Sequence, residues 1–336
     1  MKKILCVLFM FSAMMAEGKI SGVGFFNYTY NLTDGVYDSD KSSFDFNRIY
    51  FTYTNTISDQ ISFKFQTDVG RFDFVDEDDD GNAIIEDKPV MGHLFSYIKK
   101  AQLDWKTSLS KITLGMQGMN VFNVTEKTWG FRFIEKSPMD LHKFSSSADM
   151  GIGFSGKISS LSYSLLFTNG SGYKKQETDA YKKTSVQLVY GQKNLVKEVG
   201  FNMGTSFSYE PYNPNDAKTV MSFFGGFANS CPIFSSNSFR IGGEFDMYTD
   251  SGTDISKQIM ALYVSYKAID KLEGLVYLDM YDPDTDVSED SETYIIAGLN
   301  YYPTKGLTIT PNIRMTSFED GSDSETMFKM NFQFKF

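Results

Sequence analysis

The sequence has few cysteines, few histidines and no long apolar run beyond its amino terminus. Of the two cysteines, Cys6 falls in an N-terminal segment that we expect to be removed, so Cys231 has no partner for an intrachain disulfide. The two histidines form no zinc pattern, and neither a phosphate loop nor a dinucleotide fingerprint is present. Because no long hydrophobic stretch follows that segment and the mean hydropathy is −0.27, a helical membrane protein is excluded.

Basic charge is also scarce. The chain has 32 Lys and Arg residues against 42 Asp and Glu residues, a formal net charge of −10. Nucleic-acid-binding proteins usually present a clustered basic face, so this composition argues against that class. Catalysis has little support either: Asp140, His142 and Ser145 are close in sequence, but a catalytic triad is defined by its arrangement in space. We therefore expect neither nucleic-acid binding nor enzyme activity.

The amino terminus has the pattern of a secretory signal. Lys2 and Lys3 precede an apolar run from Ile4 to Met15, and the small residue Ala16 follows. The run is too short to span a membrane as a helix. We expect residues 1–16 to be a signal peptide and residues 17–336 to form the mature protein, with the exact cleaved bond left open.

Aromatic residues that alternate with polar ones are what the chain has in abundance. It contains 31 Phe and 20 Tyr residues against 8 Pro. The last six residues, NFQFKF, place three phenyl rings on one face of a strand and three polar side chains on the other. Roughly sixteen segments of strand character recur, from about 19–31 to about 325–336. Their length, often about ten residues, is what a tilted membrane-spanning strand requires.

The connections between these segments alternate in length. After even-numbered segments the turns are short, as in SD at 58–59 and SS at 159–160, whereas after odd-numbered segments they are mostly long and polar, as in GSGYKKQETDAYKK. Outer-membrane barrels have short periplasmic turns and long extracellular loops, and a soluble sandwich has no reason to segregate its loops in this way. The pattern predicts an all-β fold, a transmembrane antiparallel β-barrel of about sixteen strands.

The carboxy-terminal FQFKF, which ends on Phe336, resembles the last strand of Gram-negative general and anion-selective porins. In that family the terminal Phe is the signal recognised by the barrel-assembly machinery, and barrels of this size are usually homotrimers. The resemblance implies secretion to the periplasm and residence in the cell outer membrane, among its lipids and lipopolysaccharide. It also implies passive diffusion of small hydrophilic solutes or ions, with no catalysis.

The third long connection, about 118–148, contains apolar residues such as Phe122, Trp129 and Phe133, which favour burial. Long loops of this kind are usually functional. Porins of about sixteen strands have, at the same ordinal position, a loop that folds into the barrel and narrows the channel. The stretch WGFRFIEKSPMDLHKFSSSADMG also resembles a segment of phosphate-selective porins. We expect this constriction loop to fold inward; the alternative is that its aromatic residues pack on the extracellular rim.

Charged residues at a constriction determine which ions pass. The candidates in the loop are Lys127, Arg132, Glu135, Lys136, Asp140, His142 and Lys143. With Glu126 and Asp149 counted as well, positive and negative charges are nearly balanced, so the sign of selectivity stays open. Strand parity adds candidates for the pore wall, because charges facing lipid are costly at mid-membrane. These are Arg48, Lys64, Asp68, Arg240, Glu244 and Arg314.

The second long loop contains DEDDDGNAIIED, in which Asp76, Asp78, Asp80 and Gly81 match the start of a calcium-binding loop. Asp87 occupies the twelfth position in place of Glu, and no flanking helices are predicted. A solvated acidic loop is therefore the simpler interpretation. Surface-bound calcium is the only cofactor that the sequence suggests, and divalent ions there could bridge lipopolysaccharide.

The predicted function is that of an outer-membrane porin, a passive channel for small hydrophilic solutes or ions. The alternative is a structural or adhesive outer-membrane barrel that acts through its extracellular loops. In that case the aromatic residues of the third loop would occlude the lumen.

Overall fold

The computed structural model describes residues 18–33, 35, 41–71, 76–77, 83–84, 94–230 and 237–336. The expected signal segment therefore lies outside the described residues, as does most of the acidic second loop. Among the helices of the described residues, none is both long enough and apolar enough to cross a membrane.

Sixteen antiparallel strands form a closed barrel in which each strand pairs with its neighbours in sequence and the last pairs with the first. A separate two-residue ladder pairs Asp76–Glu77 with Ala83–Ile84 outside the barrel. The barrel strands, numbered here in chain order, are β1 Lys19–Asn31, β2 Ser42–Thr56, β3 Ile61–Arg71, β4 Leu94–Lys106, β5 Lys111–Gly118, β6 Ala148–Ile158, β7 Leu161–Thr168, β8 Lys183–Gly191, β9 Gly200–Pro211, β10 Ala217–Ser230, β11 Asn237–Asp250, β12 Ile255–Ile269, β13 Leu272–Asp282, β14 Glu292–Thr304, β15 Leu307–Phe318 and β16 Glu325–Lys335. The predicted fold class and strand number are confirmed.

The strands of this barrel are apolar on the outside and polar on the inside. In β9 the outward side chains of Phe201 and Met203 are 47% and 59% exposed. The side chains of Asn202 and Ser206, on the inner face of the same strand, are buried. A soluble barrel would reverse this arrangement, because its core must exclude water. The outward apolar band and the inward polar face are those of a membrane barrel.

The terminal strand closes the barrel as its alternation predicts. Phe332 of β16 faces outward and stacks on Phe26 of β1, with ring centroids 4.5 Å apart. Asn331 and Gln333 are buried on the inner face. Beyond the strand, the backbone N–H of Phe336 donates to the carbonyl of Gly22 at 3.1 Å. The two strands therefore pair as far as the last residue, and this seam has no free edge. Backbone N–H and C=O groups in hydrocarbon must be hydrogen-bonded in this way, because no water is available there.

The two rims differ in the length of their connections. Short turns join strands at 57–60, 107–110, 159–160, 270–271 and 305–306 on one rim, which also has the longer connections 192–199 and 231–236. The other rim has the long connections 32–41, 72–93, 119–147, 169–182 and 283–291, together with shorter ones at 212–216, 251–254 and 319–324. We call these the short-turn rim and the long-loop rim.

The third long connection folds into the barrel. Residues 119–147, here the constriction loop, contain two short helices, α1 Thr125–Trp129 and α2 Pro138–Leu141. Gly130 ends α1 in a left-handed conformation, with φ of 79°, that a residue with a side chain adopts only with strain. Pro138 begins α2 at a position where its missing N–H costs nothing. The predicted inward fold of this loop is confirmed.

Candidate functional site

The constriction loop is held against one side of the barrel by an aromatic cluster. The Trp129 ring lies 4.9 Å from Tyr277 of β13 and 5.8 Å from Tyr263 of β12, measured between centroids. Phe133 lies 6.2 Å from Phe25 of β1. Buried aromatic pairs are worth about 0.5–1.5 kcal/mol each beyond the area they bury. The inner face of β12, β13 and β1 therefore carries rings where a pore wall would otherwise be polar.

A second apolar cluster holds the two ends of the loop. Val121 and Phe122 before α1, and Met139 in α2, are buried against Val220 of β10 and Ile259 of β12. The loop thus packs across β10 to β14, and apolar residues at both of its ends contribute to the contact.

The guanidinium of Arg314, on β15, clamps the tip of the loop. Its Nη1 donates to Oε2 of Glu135 at 2.6 Å, and its Nη2 donates to the carbonyl of Ile134 at 2.7 Å. Next to it, Nδ2 of Asn331 donates to the carbonyl of Phe133 at 3.0 Å. Arg314 is almost fully buried, so these charge-assisted bonds are screened little by solvent.

Two further polar contacts anchor the loop at other points. Nη2 of Arg240 donates to the carbonyl of Trp129 at 3.1 Å. Nε2 of His142 lies 2.9 Å from Oδ2 of Asp279, and the imidazole stacks on Tyr281 with centroids 3.8 Å apart. The loop is therefore fixed along its length by side chains from β11, β13, β15 and β16.

Arg132 ties the two helices of the loop together. Its Nη1 lies 2.5 Å from Oδ2 of Asp140 in α2, and its Nε lies 3.3 Å from Oε2 of Glu126 in α1. This guanidinium is itself largely buried, and it interacts with Tyr50 and Arg48 of β2, where Tyr50 packs against Phe25 at the edge of the aromatic cluster. Three of the loop's charged residues are thus committed to the shape of the loop.

The opposite wall, β2 to β5, presents charge. Nη1 of Arg48 lies 2.8 Å from Oδ2 of Asp68, and Nζ of Lys99 lies 3.6 Å from the same oxygen and 3.0 Å from the hydroxyl of Tyr50. The register between β3 and β4 shifts at this point, which is a β-bulge. The extra residue allows Lys99 and Lys100, adjacent in sequence, both to face inward.

Two cavities lie on either side of the loop segment 130–136. The one toward the long-loop rim has a volume of about 420 Å³ and is lined by residues that include Arg48, Lys136 and Lys329. The one toward the short-turn rim has a volume of about 510 Å³ and is lined by residues that include Lys197 and Lys335. The loop therefore divides the lumen into an upper and a lower cavity.

The remaining candidates occupy different environments. Lys64 is half-buried on the inner face of β3 and interacts electrostatically with Asp104 and Lys127. Lys143 is exposed, with a positive φ of 60°. Glu244 is buried behind the loop beside Asp246, and the two carboxyl groups interact with each other near the side chains of Thr125 and Ser222.

The calcium candidates Asp76, Asp78 and Asp80 have side chains outside the described residues, so the structure does not bear on that site. Elsewhere in the described chain, no cluster of three or more His, Cys, Asp or Glu residues is suited to a metal ion.

Sequence reasoning missed several inward residues that the structure brings together. Lys99 and Lys100 escaped a period-two assignment because the bulge changes the parity of β4. In the turn 192–199, burial and the nearby charges of Lys127, Lys111 and Lys157 lower the pKa of Lys193. No local signal in the sequence relates this turn to the loop, because about sixty residues separate them.

No family model matches the chain, and no curated protein matches it in sequence. Solved structures do match it in fold. OmpF of Salmonella typhi, in complex with daunomycin, has a TM-score of 0.65 at 11% identity over 96% of this chain and 99% of that one. The anion-selective porin from Comamonas acidovorans has a TM-score of 0.65 at 10% identity over 95% and 99%. OmpT of Vibrio cholerae, in its trimer form, has a TM-score of 0.63 at 9% identity over 95% and 99%.

Proposed function

We propose that this porin-like barrel is an outer-membrane porin, a passive channel for small hydrophilic solutes or ions. One observation carries the proposal: the constriction loop packs its apolar residues on one wall and leaves charged side chains on the opposite wall. Trp129, Phe131 and Phe133 are buried, whereas Lys136 and Lys127 reach the lumen. A loop of this kind narrows the lumen and leaves one side of it lined by charged groups in water. Solutes can then diffuse through the gap and are selected by their size and charge.

No energy source or cofactor is needed for this function, and we assign no catalytic residue. Solutes enter at the long-loop rim, pass the gap between the loop and β2 to β5, and leave at the short-turn rim. The barrel is placed in the outer membrane of a Gram-negative bacterium, with its short turns in the periplasm. The outward apolar band supports this placement.

The test is single-channel recording of the refolded protein in a planar bilayer. We expect stepwise insertion events with a reproducible conductance that is linear in salt concentration. The structural or adhesive barrel makes the opposite prediction, because its lumen is occluded by the same aromatic residues. A correctly folded barrel that inserts and leaves the bilayer sealed would overturn the channel and assign function to the extracellular loops.

Assembly forms a separate part of the proposal. We propose a homotrimer, for which the trimer form of the similar Vibrio cholerae OmpT is the support. We further propose recognition of Phe336 by the barrel-assembly machinery and contact of the long-loop rim with lipopolysaccharide. Chemical cross-linking of the protein in native outer membranes would show a trimer band, and a monomer at every cross-linker concentration would contradict the trimer.

A further inference from the structure

We propose that the channel is selective for small anions, along a basic track that runs from one rim to the other beside the constriction loop. The inference rests on the proposed function, which it deepens by naming the substrate class. The track consists of Lys174 and Lys329 in the upper cavity, Lys64, Lys100 and Lys127 at the loop, and Lys197 in the lower cavity. It is unexpected in a chain whose net charge is −10.

The acidic groups along this path are already neutralised by fixed cations. Asp68 pairs with Arg48 at 2.8 Å, and Asp140 pairs with Arg132 at 2.5 Å. Asp104 lies 3.3 Å from Lys111. Close, partly buried pairs of this kind cancel much of each other's field, so these carboxylates attract few mobile cations.

The other acids near the track differ in how far they are compensated. Glu135 lies 2.6 Å from Arg314, and Glu126 lies 3.3 Å from Arg132, which it shares with Asp140. Asp45 lines the upper cavity, and Glu273 lines the lower cavity with Arg240 at 4.0 Å. Anion selectivity therefore depends on an excess of basic groups over these acids.

The lysines beside the loop are not neutralised in this way. Among the described residues, no carboxylate oxygen lies within 4.0 Å of the Nζ of Lys64, Lys100 or Lys127. Nζ of Lys100 lies beside Gly118, where the loop begins, and its strongest charged neighbour is Lys64. The strongest charged neighbour of Lys64 is Asp104, which pairs with Lys111, and that of Lys127 is Glu126, which pairs with Arg132. Like charges placed together on a wetted wall must be balanced by mobile anions.

Lys127 belongs to the loop and the other two lysines belong to the wall. Electrostatic interactions link Lys127 to Lys64 and to Lys100, so the three ammonium groups bracket the gap between the loop and β3 and β4. An ion that passes the loop on this side meets positive charge from both directions. This geometry favours an anion at the position where hydration is most restricted.

The track continues into both cavities. Toward the long-loop rim, Lys329 and Lys174 line the upper cavity. Toward the short-turn rim, Lys127 interacts with Lys197, and Lys197 in turn with Lys335 at the lower cavity. A series of basic groups guides an anion better than a single group, because each group lowers the barrier between its neighbours.

One set of buried acids argues for the other sign. Glu244 and Asp246 lie close together, and Asp279, whose Oδ2 lies 2.9 Å from Nε2 of His142, is near them. They lie behind the constriction loop and are 4%, 0% and 1% exposed. Because the loop covers them, an ion in the gap does not touch them, and the lysines are the charges that it meets first.

The magnitude follows from Coulomb's law. For an ion about 5 Å from one ammonium group in water at about 0.1 M salt, the anion is enriched roughly twofold and the cation is depleted roughly twofold. The two factors multiply, so each lysine changes the chloride-to-potassium permeability ratio by up to roughly fourfold.

The experiment is the reversal potential of the refolded channel under a KCl gradient. We expect the natural sequence to give a permeability ratio for chloride over potassium above one. The triple variant Lys64→Gln, Lys100→Gln and Lys127→Gln should bring the ratio to one or below. The single variant Lys127→Gln changes a loop residue that is not part of any barrel strand, and it should lower the ratio by several-fold. It provides the test if the triple variant does not fold. Lys175→Gln, an exposed lysine on connection 169–182, is the matched control and should leave the ratio unchanged.

The outcomes separate the inference from the function on which it rests. A conducting channel with a ratio below one would overturn anion selectivity and leave the porin intact. An anion-selective channel that the folded variants do not alter would overturn the assignment to this track. A folded, inserted barrel that never conducts would overturn the porin and the inference together.

Discussion

Replacing Arg314 with Met should loosen the tip of the constriction loop and raise the single-channel conductance. The guanidinium makes two bonds to the loop, to the carboxylate of Glu135 at 2.6 Å and to the carbonyl of Ile134 at 2.7 Å. Met has a similar length but makes neither bond. A hydrogen bond to a charged group contributes about 1.5–3 kcal/mol, so the docked tip loses about 3–5 kcal/mol.

The loss acts on the tip and leaves most of the loop in place. Trp129 and Met139 remain buried in the two apolar clusters, so the helices α1 and α2 stay docked. Glu135 keeps only the hydroxyl of Tyr294, at 3.2 Å, and the N–H of Lys136. A change of about 3–5 kcal/mol shifts a two-state equilibrium by two to four orders of magnitude, enough to populate an undocked tip.

The assay is planar-bilayer recording of Arg314→Met and Arg314→Lys beside the natural sequence. We expect higher conductance and larger open-channel current noise for Met. Lys retains the charge and one bond, so it should give an intermediate value. Circular dichroism and the heat-dependent mobility shift on gels report whether each barrel is folded. If a folded Met variant conducts as the natural protein does, with the same noise, Arg314 does not hold the loop tip in the pore.

Three further changes test other parts of the structure. Glu244→Gln combined with Asp246→Asn should raise the midpoint of urea unfolding in detergent, because two acidic groups buried side by side are costly to desolvate and repel each other when ionised. An unchanged or lower midpoint would show that their surroundings compensate for these charges. Trp129→Ala should weaken the docking of the loop to the barrel wall by about 3–5 kcal/mol and make residues 119–147 sensitive to protease. A loop that still resists digestion would contradict the anchoring role of Trp129. Phe336→Ser should lower the amount of folded barrel in the outer membrane of cells. It should not change the stability of the refolded protein, because Phe336 is 69% exposed. Equal amounts of the variant and the natural protein in cells would exclude a targeting role.

The barrel could be predicted from the sequence because its determinants are local. Alternation with period two sets which side chains face lipid, and turn residues set where each strand ends. The segment predicted at about 19–31 is the strand Lys19–Asn31, and the one at about 325–336 is Glu325–Lys335. Each of these boundaries depends only on residues a few positions away.

The interior of the pore was less predictable, because it depends on contacts between distant residues. Tyr263 and Tyr277 face inward, against the expectation that aromatic residues of a barrel face lipid, because the constriction loop covers them. The partner of Glu135 is Arg314, which is 179 positions away. Strand parity indicates that the side chain of Arg314 faces the inside of the barrel. Parity does not indicate how far along the barrel axis Arg314 lies, nor that it binds Glu135.

The bulge in β4 explains why the sequence left the sign of selectivity open. A residue count over the constriction loop alone finds nearly equal numbers of basic and acidic groups, and that balance is real. Arg132 pairs with both Glu126 and Asp140 within the loop, so this group of three keeps one net negative charge. Of the lysines proposed to set the selectivity, Lys127 is on the loop, whereas Lys64 and Lys100 are on the wall, and Lys100 faces inward next to Lys99 because of the irregularity in β4. In the proposed channel, the field along the path of an ion depends on which groups lack a fixed partner, whereas the net charge of −10 alone would indicate the opposite sign.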